Sequence, residues 1–264
     1  MRVPKSHPRY ESLVRREKLV RAWRAGVVVP EGLIAHGRGE AFDYLLGEET
    51  SAPALVAEKA AAAALLLATH PVVSVNGNVA ALAARDVVRL ARAVPAAIEV
   101  NLFHRTEGRV RTIVRILERS GASHVFGPRP DARIPGLESK RALCHREGIY
   151  HADVVLVPLE DGDRAEALVK MGKTVISVDL NPLSRTSRRA SIPIVDDVTR
   201  ALRNVERFVR DLRGDPTETA RILRTYRKSG NLRAAHSFLE WRFEKFSKTR
   251  QSAGGRPRTR KVRR

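Results

Sequence analysis

Cysteine is nearly absent: Cys144 has no second thiol to pair with and no Cys/His cluster around it. That excludes a disulfide framework and a zinc-finger-like site, and it fits a reducing, cytoplasmic setting. Aromatic residues are only 5% of the chain, and no RNP-like, KH-like or zinc-finger pattern occurs. Platforms for stacking bases are therefore scarce. Long apolar runs are missing too. The most apolar stretch, 60–68, follows Glu58 and Lys59 and falls far short of the about 20 residues that cross a bilayer. It reads as a buried helix or a subunit interface, and no membrane partner is expected. Residues 1–20 alternate charge with apolar positions, without the apolar core of a signal peptide. Neither GxGxxG nor GxxxxGK[ST] appears, so there is no Rossmann dinucleotide or Walker A fingerprint.

What is present is enough to fold. The chain has 264 residues, 43% of them hydrophobic and 30% charged, which supports a substantial core without covalent staples. The formal charge is +20, and residues 248–264 hold eight Lys or Arg and no acid. The remainder is still basic. Either this is a nucleic-acid-binding surface, or an arginine-rich body carries basic pockets for anionic substrates. The scarcity of stacking aromatics favours the second reading. Nucleic acid is then expected only as a non-specific partner of the tail.

Along the chain, 8–25 has a helical pattern with Leu13, Leu19, Val20 and Trp23 near one face. An irregular, glycine-containing loop is expected over 32–47, followed by an alanine-rich helix over 54–69. From there β-branched runs at 72–75, 98–102, 124–126, 154–157, 175–178 and 192–195 alternate with helical patterns at 79–93, 106–119, 139–147, 163–171 and 197–213. Such alternation predicts an α/β fold, Rossmann-like and doubly wound, with a mostly parallel sheet buried on both faces. An N-terminal helix precedes it. Helices at 216–228 and 232–246 form a C-terminal extension, with Trp241, Phe243 and Phe246 as packing anchors. The divisions expected are a catalytic domain over 1–213, the extension over 214–247 and a disordered basic tail over 248–264.

In an open parallel sheet, ligands bind beyond the carboxyl ends of the strands. The segments there are rich in Asn, Asp, Arg and Gly. Asn76-Gly77-Asn78 joins a strand to a helix, as either a plain turn or an anion-facing one. In DLNPLSRTSRR, Asp179 stands at a strand end where a carboxylate accepts ribose hydroxyls or holds Mg²⁺, and Arg185 forks onto phosphate; Asn181 and Thr186 add neutral hydrogen bonds. The alternative is a turn capped by Asp179 with solvated arginines. Arg38 lies between glycines that allow close approach to a ligand. His36 is an acid or base, or structural. Arg105 and Glu107 would grip a substrate phosphate and position an amine, or pair at a helix start. No nucleophile and base pair up, which favours phosphate binding over covalent catalysis.

The stretches SHPRYESL, GLIAHGRGEAFDYLLGE, VSVNGNVAAL, RIPGLESKRAL, GIYHADVVLVPLEDGDRAEALVKMGK and VDLNPLSRTSR closely resemble the archaeal 4-phosphopantoate:β-alanine ligase family, also called phosphopantothenate synthetase. The resemblance spans about residues 4–213. It implies ATP-dependent joining of 4-phosphopantoate to β-alanine, giving 4'-phosphopantothenate, AMP and diphosphate in coenzyme A biosynthesis, by a homodimer with a Rossmann-like fold. The implied ATP contacts are Arg16, Arg38, Asp179, Leu180, Asn181, Arg185, Thr186, Asp197 and Val198. Asp197-Val198 stands where the family is expected to carry Asn-Ile. Activation as an acyl-adenylate requires aligned substrates and charge offset by arginines and Mg²⁺. Asn76, Asn78, Arg105 and Lys140, with Glu107, are expected to hold the second substrate. Glu107, His104 and Asp161 are candidate acceptors for the amine proton.

Overall fold

Short β-branched runs line up edge to edge in one parallel sheet. In chain order they are β1 (Pro71–Val75), β2 (Ala97–Val100), β5 (Val154–Pro158), β6 (Thr174–Val178) and β7 (Ile192–Ile194), arranged β2-β1-β5-β6-β7. A computed structural model describes residues 4–253. The two-residue period of a strand divides its side chains between two cores. Val73, Val75, Leu156, Ile176 and Val178 join one cluster, while Val72, Val155, Val157 and Val175 join another. The first is covered by α3 (Ala52–Leu67), α4 (Gly77–Ala93), α5 (Glu107–Arg119) and α8 (Val198–Leu212), and the second by α6 (Gly162–Lys170). This is the expected doubly wound sheet. Its alanine-rich helix is core: Ala60 to Ala64 of α3 are all buried.

Three local expectations fail. Residues 30–46, expected as a loop, are helix α2 (Pro30–Leu46), following α1 (Tyr10–Arg24). Proline opens α2 at a position where no N–H is needed, and Gly47, at φ 100°, closes it in the left-handed conformation. Inside it, Gly32 permits a close approach, since a Cβ there would lie 2.5 Å from Asn78 Oδ1. The strand expected over 124–126 is reduced to one parallel bridge between Phe126 and Glu99, because Gly127 and Pro128 follow at once and proline offers no ladder donor.

The helix expected over 139–147 is instead one tight turn, Lys140–Ala142, and the strand β4 (Leu143–Cys144), which pairs antiparallel with β3 (Ala132–Arg133). A wide turn over Arg146–Tyr150 follows. Buried Glu99 draws this backbone in, accepting hydrogen bonds from His145 N at 3.0 Å and Ile149 N at 2.7 Å.

Beyond the sheet lie α7 (Arg185–Arg189), α9 (Pro216–Thr225) and α10 (Lys228–Ala253). α10 packs back on the body: Ala235 and Leu239 meet Leu46, Leu180 and Val195. Trp241, Phe243 and Phe246, expected as anchors, are exposed instead, because Leu232, Ala235, Phe238 and Leu239 form the inward stripe. The tail expected from 248 begins inside α10, and its remainder lies outside the described residues. Among the described residues no helix is long and apolar enough to cross a membrane.

Candidate nucleotide and substrate site

The strand order sets the site. From β1 the chain turns outward to β2 on one side, while β5, β6 and β7 extend on the other, so a crevice opens past the carboxyl ends of β1 and β5. Asn76 fastens its floor. Its Nδ2 donates to the carbonyls of Pro158 at 3.1 Å and Leu159 at 2.9 Å, while its Oδ1 caps α4 by accepting from Val79 N at 3.1 Å. Gly77 serves packing, because a Cβ there would collide with the Val27 carbonyl. The N-termini of α4, α6 and α8 border the crevice through Asn78, Gly162 and Val198, and their amides and dipoles favour an anion.

A cavity of about 420 Å³ fills the crevice, with α2 as its outer wall. Of the nine residues expected to contact a nucleotide, eight line it: Arg38, Asp179, Leu180, Asn181, Arg185, Thr186, Asp197 and Val198. The 179–186 loop is held from within. Asp179 N donates to Ile194 O at 3.0 Å, Asn181 N donates to Asp179 Oδ1 at 2.9 Å, and Thr186 Oγ1 donates to Glu160 O at 2.7 Å. Burial raises the Asp179 carboxyl against the opposing pull of Ser184, Asn181 and Arg38. The Arg38 side chain lines the wall without a hydrogen bond or ion pair to any described residue, and its charge acts on Asp179. Arg185 is shared between Asp163 and Glu166.

The ninth residue, Arg16, lies off the wall, where its Nε donates to both oxygens of Glu40 at 2.9 and 2.8 Å. Its neighbour Arg15 lines the cavity and lies 3.3 Å from Asp43 and 3.2 Å from Asp197. Sequence reasoning missed Arg15, although Ser12, Arg15 and buried Leu19 share one helical face and so mark the side of α1 that faces inward. Asp197 caps α8, accepting from Thr199 N at 2.9 Å. Burial alone would raise its carboxyl, but Arg15, Thr199 and Arg200 outweigh it and hold it below the ordinary range. Asparagine at this position could cap the helix but could not pair with Arg15.

Glu160 was also missed. It is gripped by Arg141 and Arg164, and Arg164 donates to Ser74 Oγ at 3.2 Å. Burial works to raise this carboxyl too, yet the two guanidiniums keep it ionised. The triad ties the end of β5 to β1 and supports the cavity rim.

The residues expected at the second substrate divide. Asn78 lines the cavity and donates from Nδ2 to Gly32 O at 2.8 Å. Arg105, Glu107 and Lys140 gather elsewhere: Arg105 is buried and donates to Gly127 O, Glu107 lies 3.9 Å from it, and Lys140 Nζ donates to Arg105 O at 3.3 Å. Their neighbours Phe103, Ser139 and Arg141 line a second cavity of about 750 Å³, which shares Asp161, Gly162 and Arg185 with the first. A Cβ on Gly162 would crowd Arg185 Cγ at 2.5 Å, so glycine keeps this junction narrow but open. Among the described residues, no group of three or more His, Cys, Asp or Glu could hold a metal ion.

The profile of the phosphopantothenate/pantothenate synthetase family matches residues 53–242. The chain belongs to that family. The 4-phosphopantoate–β-alanine ligase of Methanospirillum hungatei is 54% identical over 91% of this chain and 97% of its own length. The ligase of the same name from Methanosarcina mazei is 54% identical over 90% of this chain and 94% of its own length, and that from Thermococcus kodakarensis 55% over 80% and 81%. In this synthetase-family chain the profile match begins within α3. The cavity wall built by α1 and α2, with Arg15, His36 and Arg38, therefore lies ahead of the matched segment.

Proposed function

We propose that the chain is a cytoplasmic ligase of coenzyme A biosynthesis that condenses 4-phosphopantoate with β-alanine at the expense of ATP, releasing 4'-phosphopantothenate, AMP and diphosphate. The observation that carries this reading is the convergence of eight expected nucleotide contacts on one cavity, in a chain 54% identical to a ligase of that name. In this reading ATP occupies the first cavity. Asp179 and Asn181 face the nucleoside, and Arg38 and Arg185 offset phosphate charge. Mg²⁺ enters with the triphosphate and supplies further positive charge at its oxygens. 4-Phosphopantoate lies toward the junction with the second cavity, between Asn78 and the group of Arg105, Glu107 and Lys140.

A carboxylate resists an amine because its charge repels the lone pair and oxide is a poor leaving group. Attack of that carboxylate on the α-phosphate of ATP expels diphosphate and leaves an acyl-adenylate, whose AMP departs readily. Holding both reactants in one crevice makes each step effectively unimolecular. The working unit is a homodimer, supported by the apolar surface that α2 and α10 leave exposed. The test is AMP formation measured with each substrate alone and with both together. Release that requires both is expected; AMP release indifferent to β-alanine would overturn the assignment, and so would ATP binding without turnover, which describes a regulator.

A further inference from the structure

β-Alanine meets the acyl-adenylate as an ammonium, since amines of this kind have a pKa of about 10, and it has no lone pair until a proton leaves. Two of the three acceptors expected from sequence lie off the cavities, and the third, Asp161 at their junction, is ion-paired. His104 and Glu107 line neither cavity, and Asp161 lies 3.1 Å from Arg141 Nε. Four other carboxylates of the wall are held by arginines: Glu40 by Arg16, Asp43 by Arg15 and Arg200, Glu160 by Arg141 and Arg164, and Asp197 by Arg15; Asp179 accepts from Asn181 N at 2.9 Å and is assigned above to the nucleoside.

His36 differs from all of these. It lies in the cavity wall on α2, near Arg38, and neither of its ring nitrogens has a hydrogen-bond partner among the described residues. The groups that face it are Glu40 from its own helix, Asp197 at the start of α8, and Arg15 and Arg16 from α1. Burial lowers its pKa from 6.5, opposed by Glu40 and Asp197 and aided by the two arginines. The ring is therefore neutral near pH 7, with a lone pair available.

We propose that His36 takes the proton from the β-alanine ammonium during amide formation. This rests on the ligase reading above. One ammonium proton moves to an imidazole nitrogen, and the freed lone pair attacks the acyl carbon. The C–N bond forms as the C–O bond to AMP breaks. A second nitrogen proton leaves to water as AMP departs, and His36⁺ then returns its proton to solvent.

Two half-reactions separate this role from nucleotide binding. Exchange of labelled diphosphate into ATP with 4-phosphopantoate alone reports adenylate formation and needs no amine. For His36→Gln, exchange should stay within about twofold of wild type while amide formation falls about 100-fold or more, the usual scale of general-base loss. The acidic limb of the kcat–pH profile should vanish, and hydroxylamine, largely unprotonated at neutral pH, should be acylated at the wild-type rate. Amide formation at the wild-type rate, or exchange lost in step with it, would overturn the proposal. So would loss of amide formation in Asp161→Asn but not in His36→Gln. A wild-type enzyme with neither exchange nor AMP release would refute the ligase reading itself, a result distinct from a defect confined to the variant.

Discussion

Arg38 and Arg185 both border the cavity, but they are held differently. Arg38 is unpaired, so replacing it removes a full charge-assisted contact, about 1.5–3 kcal/mol. Arg38→Ala should weaken ATP binding about tenfold or more in a calorimetric titration. Arg185 must first leave Asp163 and Glu166, so Arg185→Ala should cost less, and an equal loss would show that these ion pairs do not compete with phosphate. Away from the cavity, Glu58 is fully buried on α3, and burial followed by the charge of Asp196 pushes it from 4.5 up to about 9. The folded chain thus holds a proton that the unfolded chain releases between those values, and stability falls as pH rises through that window. Glu99, pushed up to about 7 chiefly by burial, adds the same trend over a narrower range. Glu58→Gln removes the larger contribution, so its melting temperature should gain on wild type steadily from pH 5 to pH 9. A constant offset would contradict the assignment.

Among the elements, α2 matters most, because it presents His36 and Arg38 yet has little intrinsic claim to be a helix. Three glycines lie within it, each costing about 1 kcal/mol relative to alanine in a helix interior. Tertiary contacts hold it. Arg200 forks onto Asp43, donates to Glu48 O at 3.2 Å and reaches Asp196 with Nε at 2.8 Å, joining α2 to the start of α8. Removing one partner of such a buried pair costs about 3–5 kcal/mol. Arg200→Ala should lower stability by that order, and at temperatures where the variant is still folded it should raise the KM for ATP more than it lowers kcat. An unchanged KM would mean that α2 keeps its place without the fork. Gly77→Ala tests the other side of the crevice. Its Cβ would strike the Val27 backbone, which cannot rotate away, and the expected loss is about 1–3 kcal/mol in denaturant unfolding. These contacts explain why α2 was illegible. Its glycines signal a loop, while Asp43–Arg200 and Gly32–Asn78 join residues far apart in sequence.

For the whole molecule, two surfaces carry predictions. Tyr44, Trp241, Phe243 and Phe246 are exposed on α2 and α10, which meet where Arg242 Nε donates to Leu45 O at 3.2 Å. As the apolar surface of a dimer, they should give sedimentation at twice 29.3 kDa, and Trp241→Asp with Phe243→Asp should halve that mass. Dimers that survive both changes would place the interface elsewhere. The charge of +20 is spread over the chain, so deleting 248–264 should leave AMP formation intact while weakening retention on nucleic acid, most clearly at low salt.

The parallel sheet was legible in the sequence because uniformly β-branched strands and amphipathic helices are local patterns, and the 179–186 loop stood out because its polar groups follow one such strand directly. The sequence by itself therefore determined the fold class, the edge of the sheet where the polar loops gather and most of the residues that line the first cavity. Only the tertiary structure decided that Arg15 rather than Arg16 faces the cavity, that Glu160 is clamped beneath the rim, and that a glycine-rich segment becomes the helix bringing His36 inside. Those outcomes depend on buried charge pairs and close approaches between distant segments, whose free energy exists only once the chain has brought them together.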